Sequence, residues 1–305
     1  NARALLYLSL LPEGARDEGL VRTYLAFLLH MQKEDGRFRN GLTLDGRFED
    51  EGEAEDPTGR AVLALAAAQR LPPPYAGPAR EALLRALPAL EGFTSLRGRA
   101  YALLGLLALP KEPFLEAAEA LGEGLLRAFR EAEPAWPYPG PLTYANHRPV
   151  EALYAYGLAF RRQEAVALAR RALAFLKEHY FTPGEEGLFF DPVGNRFMAR
   201  GRDKPLFDQQ PIEAKCALLA HLRFGERVLA EVAFLWFHGR NRLRAPLVDA
   251  FGPMDGLTPH GPNQNRGAEA LLAYLLAWQA LVQGVFPQVD EGVALGRVFA
   301  LGGRP

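Results

Sequence analysis

Ala61-Val62-Leu63-Ala64-Leu65-Ala66-Ala67-Ala68 carries no polar side chain on any face. A helix that is apolar all round has to be buried on every side. The residues ahead of it, Asp56-Pro57-Thr58-Gly59-Arg60, read as a helix start, since Asp is a favoured N-cap and Pro a favoured first helical residue. Upstream again lies an acidic run, Glu49-Asp50-Glu51-Gly52-Glu53-Ala54-Glu55. The same order, a polar segment and then an apolar helix, recurs at 94–99, 136–149, 208–213 and 255–267. Buried helices are therefore predicted to begin near Asn1, Pro57, Ser95, Pro149, Pro211 and Gly267.

Between them the periodicity changes to that of amphipathic helices, predicted over 17–33, 77–91, 112–131, 162–180, 225–238 and 288–299. On the segment 112–131, Glu116, Glu119, Glu123, Arg127 and Arg130 share one face. Six pairs of one buried and one amphipathic helix predict an all-α fold, an (α/α)6 toroid, filling residues 1–305 as a single domain. Connections after the buried helices are short. Most of those before them are long, at about 34–56, 132–148, 180–210 and 239–266, and long structureless loops tend to carry function. All of them are expected at one rim. One is predicted to hold a small β-hairpin, with Gly187-Leu188-Phe189-Phe190-Asp191 paired to Arg196-Phe197-Met198-Ala199. An open solenoid would keep a regular repeat length, whereas the later buried-helix starts are spaced by roughly 38, 54, 62 and 56 residues.

Composition narrows the function. The net charge is −1 with no basic stripe, which argues against nucleic acid as a partner. No apolar run reaches the roughly 18 residues of a membrane span. The six His (30, 147, 179, 221, 238, 260) lack metal-ligand spacing, and no metal or cofactor is expected. Cys216, the one cysteine, is read as a core residue. Five of the 35 basic side chains are lysine and the rest arginine, a usage resembling that of thermophiles. No secretion signal is visible, so a cytoplasmic location is expected. The chain opens on Asn1 and not Met, which leaves room for further residues or a domain ahead of it.

The amides are few and sit in loops, at Asn40, Asn146, Asn195, Asn241, Asn263 and Asn265. Asp208-Gln209-Gln210-Pro211-Ile212-Glu213 is the sharpest segment: Pro211 opens a helix, Glu213 can close a capping box, and Asp208 has no evident structural duty. Trp136, Tyr138, Tyr144, Asn146, His147 and Arg148 join aromatic faces, which stack on pyranose rings, to groups that bind hydroxyls. The plainer alternative is a proline-rich loop pinned by its own aromatics. Arg240 and Asn241 follow a Gly239 helix stop, and Asp255, His260, Asn263, Asn265 and Arg266 crowd the last long loop.

Taken in order, Glu55-Asp56 with Gly59-Arg60-Ala61, Leu142-Thr143-Tyr144 with Asn146, Asp208-Gln209-Gln210-Pro211-Ile212-Glu213, Trp236-Phe237 with Gly239-Arg240-Asn241, Asp255-Gly256-Leu257, and Asn263 and Asn265 with Gly267-Ala268-Glu269 resemble a bacterial family of (α/α)6 domains. That family is encoded beside, or fused to, glycosyltransferases and mannoside-processing enzymes. Here Ala145 stands where an Asp is common and Thr58 where a His is. More distantly the layout is similar to six-hairpin glycosidases such as unsaturated glucuronyl hydrolases, and to N-acylglucosamine 2-epimerases. The resemblance implies a saccharide ligand and a glycosyltransferase partner.

The function expected is that of a glycoside hydrolase with a carboxylate acid/base pair. Asp208 and Asp255 are the expected pair, with Asp56 in reserve. Arg60, Tyr144, Asn146, His147, Arg148, Gln209, Gln210, Arg240, Asn241, His260, Asn263 and Asn265 would grip the substrate, and Trp136 or Tyr138 would stack on it. The alternatives are a non-catalytic glycan-binding module and a sugar epimerase working through His147 and His260.

Overall fold

A computed structural model describes residues 1–49, 55–109 and 111–284. The expected helix over 288–299, and Asp50, Glu51 and Glu53 of the acidic run, lie outside them. Among the described residues are eleven α-helices: α1 (Ala2–Leu10), α2 (Glu18–Met31), α3 (Glu55–Ala67), α4 (Pro73–Leu90), α5 (Leu96–Leu106), α6 (Phe114–Arg130), α7 (His147–Ala159), α8 (Gln163–Tyr180), α9 (Pro211–Arg223), α10 (Arg227–Leu235) and α11 (Ala268–Gln283). The odd-numbered ones from α3 to α11 start within two residues of the predicted positions. Helices α7 and α9 are each preceded by a long loop and followed by a three-residue turn.

The chain divides into two compact units. The first holds Asn1–Arg127 with Ala155–Val166. Its centre is the pair α3 and α5. Every residue of α3 from Thr58 to Ala67 except Arg60 is buried, as its lack of a polar face required. The two helices touch backbone to backbone. A β-carbon on Gly59 would sit 2.4 Å from the carbonyl oxygen of Gly98, and one on Gly105 would sit 2.7 Å from the α-carbon of Leu63. The amphipathic helices follow the i, i+3, i+4 rule. In α2, Val21, Leu25, Leu28 and Met31 face inward. In α6, Phe114, Leu115, Ala118, Leu121, Leu125, Leu126 and Phe129 are buried while Glu116, Arg127 and Arg130 are exposed. Side-chain caps fix two starts: Asp17 accepts from Leu20 N at 2.9 Å, and Ser95 from Gly98 N at 3.1 Å.

The second unit holds Ala128–Tyr154 and Ala167 onward. Helix α9 is buried from Pro211 to His221, and α10 and α11 both pack on it. Cys216 is buried there, as expected, beside Ala145 and Ile212. Four two-stranded antiparallel pieces sit in the loops of the two units: β1 (Gly41–Leu42) with β2 (Phe48–Glu49), β3 (Phe181–Gly184) with β4 (Gly187–Phe190), β5 (Val248–Asp249) with β6 (Gly252–Pro253), and β7 (Leu257–Thr258) with β8 (Gly261–Pro262). The predicted hairpin is corrected here. The strand beginning at Gly187 pairs backward with Phe181–Gly184, not forward with 196–199. A tight turn with Gly187 at φ +92° makes the backward pairing local. Met198 instead bridges to Leu142. No helix among the described residues is long and apolar enough to cross a membrane.

Candidate functional site

In the second unit, the loops ahead of α9 and α11 are joined by one buried amide. Gln209 Nε2 donates to Asp191 Oδ1 and to the Leu206 carbonyl, both at 2.8 Å, and its Oε1 accepts from Trp236 Nε1 at 2.9 Å. Its backbone exchanges two hydrogen bonds of 3.0 Å with Leu257. Every polar atom of Gln209 is thus used inside the protein, so it holds the loops and is not left to grip a ligand. The same correction applies to Asn241 and Asn146. Asn241 Nδ2 donates to the carbonyls of Trp236 and Ala245, and its Oδ1 accepts from the amides of Leu243 and Ala245. Asn146 accepts from Thr143 N at 2.9 Å and donates to the Tyr180 hydroxyl at 2.7 Å. Amides placed in loops were here spent on shaping those loops.

Asp191, just past β4, was not singled out by the sequence. It is wholly buried. Arg242 holds it by Nε to Oδ1 at 3.0 Å and Nη2 to Oδ2 at 2.6 Å, and Lys204 Nζ reaches Oδ2 at 2.9 Å. Burial pushes its carboxyl pKa up, but Arg242 and Lys204 outweigh that and hold it below the usual range. The partners are separated by 13 and 51 positions in sequence, so no local pattern announces them. Glu213 departs from the capping box in a similar way. Its Oε1 accepts from the amide of Ala145, in the loop ahead of α7, where Ala145 adopts φ +52°.

The aromatic cluster is largely internal. Trp136 is 9% exposed, donates from Nε1 to the Gly140 carbonyl at 2.8 Å, and meets Phe175 edge-on with ring centroids 4.8 Å apart. Tyr138 is 3% exposed and packs edge-on against Phe129. These rings pin the proline-rich loop from within, which replaces the expected stacking platform. Tyr144 packs on Ala145, Ile212 and Cys216. Arg148 is buried in an ion triad: its Nη1 lies 2.6 Å from Glu151 Oε2, and Arg223 Nε lies 3.1 Å from Glu151 Oε1. His147 is fully buried between the rings of Tyr180 and His221, with neither nitrogen hydrogen-bonded among the described residues. Burial, with His221 adding to it, holds its pKa well below the usual value. It is therefore a neutral core side chain, closed to a sugar.

What stays open lies around the Gln209–Leu257 bridge. Asp208 is exposed, has φ +56°, and makes no side-chain hydrogen bond among the described residues. Asn and Asp are the non-glycine residues that best tolerate this backbone. Gln210 is the N-cap position of α9, and its side chain makes no cap bond. Across the bridge, a β-carbon on Gly256 would sit 2.4 Å from the Gln209 carbonyl oxygen, so the segment 255–257 lies directly on 209–210. Asp255 is half-buried, and its Oδ1 accepts from Gly267 N at 2.6 Å, capping α11. The bridge places the residue after Asp208 against Leu257, two residues past Asp255. Asn263 is half-buried and accepts from Asn265 N at 3.0 Å, while Asn265 and His260 are exposed. Arg240 lines a separate hollow beside the β3–β4 hairpin and donates to the Glu186 carbonyl at 2.8 Å.

In the first unit, Asp56 lies inside the first turn of α3 and not at the N-cap, because the helix begins at Glu55. Its Oδ1 accepts from Ser95 Oγ at 2.9 Å and its Oδ2 from Arg97 Nε at 3.1 Å, with Arg60 Nη2 3.8 Å away. Glu55 accepts from the amides of Thr94 and Ser95. Both carboxylates therefore fasten the start of α5. The Arg60 guanidinium lies 5.2 Å from the Tyr101 ring centroid.

Comparison with solved structures gives the fold class. The chain is similar to an unsaturated glucuronyl hydrolase specific for heparin, with 12% identity and a TM-score of 0.53 over 84% of this chain and 70% of that one. It is also similar to a GH76 α-mannanase of Bacteroides thetaiotaomicron, with 12% identity and a TM-score of 0.59 over 98% of this chain and 86% of that one. The fold is thus an all-α (α/α)6 toroid, with small hairpins in its loops. The sequence matches no protein-family model and no curated protein.

Proposed function

We propose that the chain is a carbohydrate-active protein, a glycoside hydrolase whose acid/base pair is Asp208 and Asp255. One observation carries this reading. The buried Gln209 fixes a bridge to Leu257, and that bridge holds an exposed, unengaged carboxylate on one side and a half-buried one on the other. An inverting mechanism sets its two carboxyl groups roughly 6.5–9.5 Å apart. In such a mechanism one carboxylic acid protonates the glycosidic oxygen while the other carboxylate activates a water. Asp208, exposed and unengaged, is assigned the acid. Asp255, whose Oδ1 accepts from the Gly267 amide, is assigned the base. Gln210, Asn263, Asn265 and His260 surround the pair in sequence and supply groups for hydroxyls. Gln209, Asn146, Asn241, Arg148 and His147 serve as scaffold. We keep Asp56 as the reserve carboxylate, and a glycosyltransferase partner and a cytoplasmic location as parts of the same reading.

The capping bond of Asp255 also favours a second reading, a glycan-binding module in which Asp255 is structural and Asp208 binds a hydroxyl. A product screen on mono- and oligosaccharides, mannosides included, separates the two. Hydrolysis by the wild type that is lost in Asp208→Asn supports the enzyme. Binding by both proteins with product from neither supports the module. An epimerase working through His147 and His260 would have only His260 exposed, since His147 is buried.

A further inference from the structure

The expected stacking rings, Trp136 and Tyr138, are buried, yet one aromatic ring in the last long loop is not. Phe251 is 85% exposed at the tip of the β5–β6 hairpin. An isolated exposed apolar side chain is ordinary on a surface. This one is held in place by its surroundings. Asp249 Oδ1 accepts from Phe251 N at 2.8 Å, which tightens the turn. Arg266 Nη2 bonds Asp249 Oδ2 at 2.6 Å and its Nη1 donates to the Gly252 carbonyl. The Arg266 guanidinium lies 6.0 Å from the Phe251 ring centroid. The next residue, Gly267, gives its amide to Asp255. A ring left in water is therefore tied, through two consecutive residues, to a candidate catalytic carboxylate.

We infer that Phe251 is a stacking platform for a sugar unit next to the one held at Asp208 and Asp255, so that the substrate is an oligosaccharide. This rests on the saccharide reading above. Four residues separate Phe251 from Asp255, a reach of at most about 14 Å. An aromatic face suits the apolar face of a pyranose. Beside it, Arg266 and Asp249 hold the hairpin tip in place for the ring.

The test compares affinities for manno-oligosaccharides of one to six units in the wild type, Phe251→Ala and Phe251→Trp. Loss of the ring is expected to weaken binding of the longer ligands about tenfold and leave the shortest ligand bound as before. Phe251→Trp should restore the length dependence. The variant folds as the wild type does if its urea midpoint is unchanged, as an exposed tip implies. Equal affinity of wild type and Phe251→Ala for every length overturns the inference while leaving the saccharide reading intact. A wild type that binds no oligosaccharide, in this series or among glucuronate-containing ones, overturns both.

Discussion

Replacing Asp191 with alanine should be the most damaging single change to the second unit. The substitution strips a carboxylate that accepts from Arg242 at 3.0 and 2.6 Å, from Lys204 at 2.9 Å and from Gln209 at 2.8 Å. Breaking a buried ion pair by removing one partner costs about 3–5 kcal/mol, because the other charge is left uncompensated. The side chains of Arg242 and Lys204 keep 28% and 16% exposure, so water relieves part of that penalty. The lower end, about 3 kcal/mol, is the expected loss. Urea titration followed by circular dichroism and tryptophan fluorescence measures it. A chain of two compact units need not unfold in one step, so the transitions seen by the two probes must first be shown to coincide. Adding Arg242→Ala to the variant should return part of the loss, since the orphaned guanidinium goes with it. The pH dependence has a definite sign. The folded pKa of Asp191 is depressed, so its contribution is present above the unfolded value of about 3.9 and fades as pH falls through the folded one. The gap between wild type and Asp191→Ala should therefore narrow below about pH 4. A loss under about 1 kcal/mol, or no recovery in the double variant, would refute the account of Asp191 as the centre of this network.

Other expectations concern both units. Gly105→Ala places a methyl 2.7 Å from the Leu63 α-carbon, backbone that cannot turn aside, and should cost about 1–3 kcal/mol in the same titration. Asp208→Asn should leave stability within about 0.5 kcal/mol, because the side chain is exposed and Asn also accepts a positive φ, while abolishing any hydrolytic product. His147 is neutral in the fold, with a depressed pKa and His221 and Tyr180 as its titratable neighbours. The unfolded chain then takes up its proton first, and stability present above about pH 6.5 erodes as pH falls below it. His147→Phe should be less sensitive to acid between pH 6.5 and 5, and equal slopes for variant and wild type would count against this.

How much of this was legible beforehand follows from the range of the interactions. Helices α3, α5 and α9 announce themselves because burial is written in their own composition, and the starts at Ser95 and Pro211 because caps are local; α11, equally apolar, keeps Leu271 and Val282 exposed. The β3–β4 pairing was harder. Phe181-Thr182-Pro183-Gly184 reads as the end of a helix, with Pro and Gly as breakers, and the alternating run after Gly187 offers equal partners on either side. The candidate site was legible as a region but not residue by residue. Gln209 and Gln210 look alike in sequence, yet one is buried against Asp191 and Trp236, 18 and 27 positions away, and the other opens α9 with its amide unspent. Long-range partners decide which amide is scaffold, and a sequence read locally does not contain them. The same limit hid Asp191.

The placement of Gln209 has a practical meaning for anyone who would redesign this protein. Stretches of chain around Asp191, Leu206, Trp236 and Leu257 answer to a single residue, the first three through its side chain and the last through its backbone. Grafted sequences should be accepted at turns away from these contacts, such as 259–260 or the tip at 250–251, provided the stem residues are kept. New ligand preferences would then be sought by exchanging tips on a fixed socket, with library diversity kept away from positions 191, 209, 236 and 242.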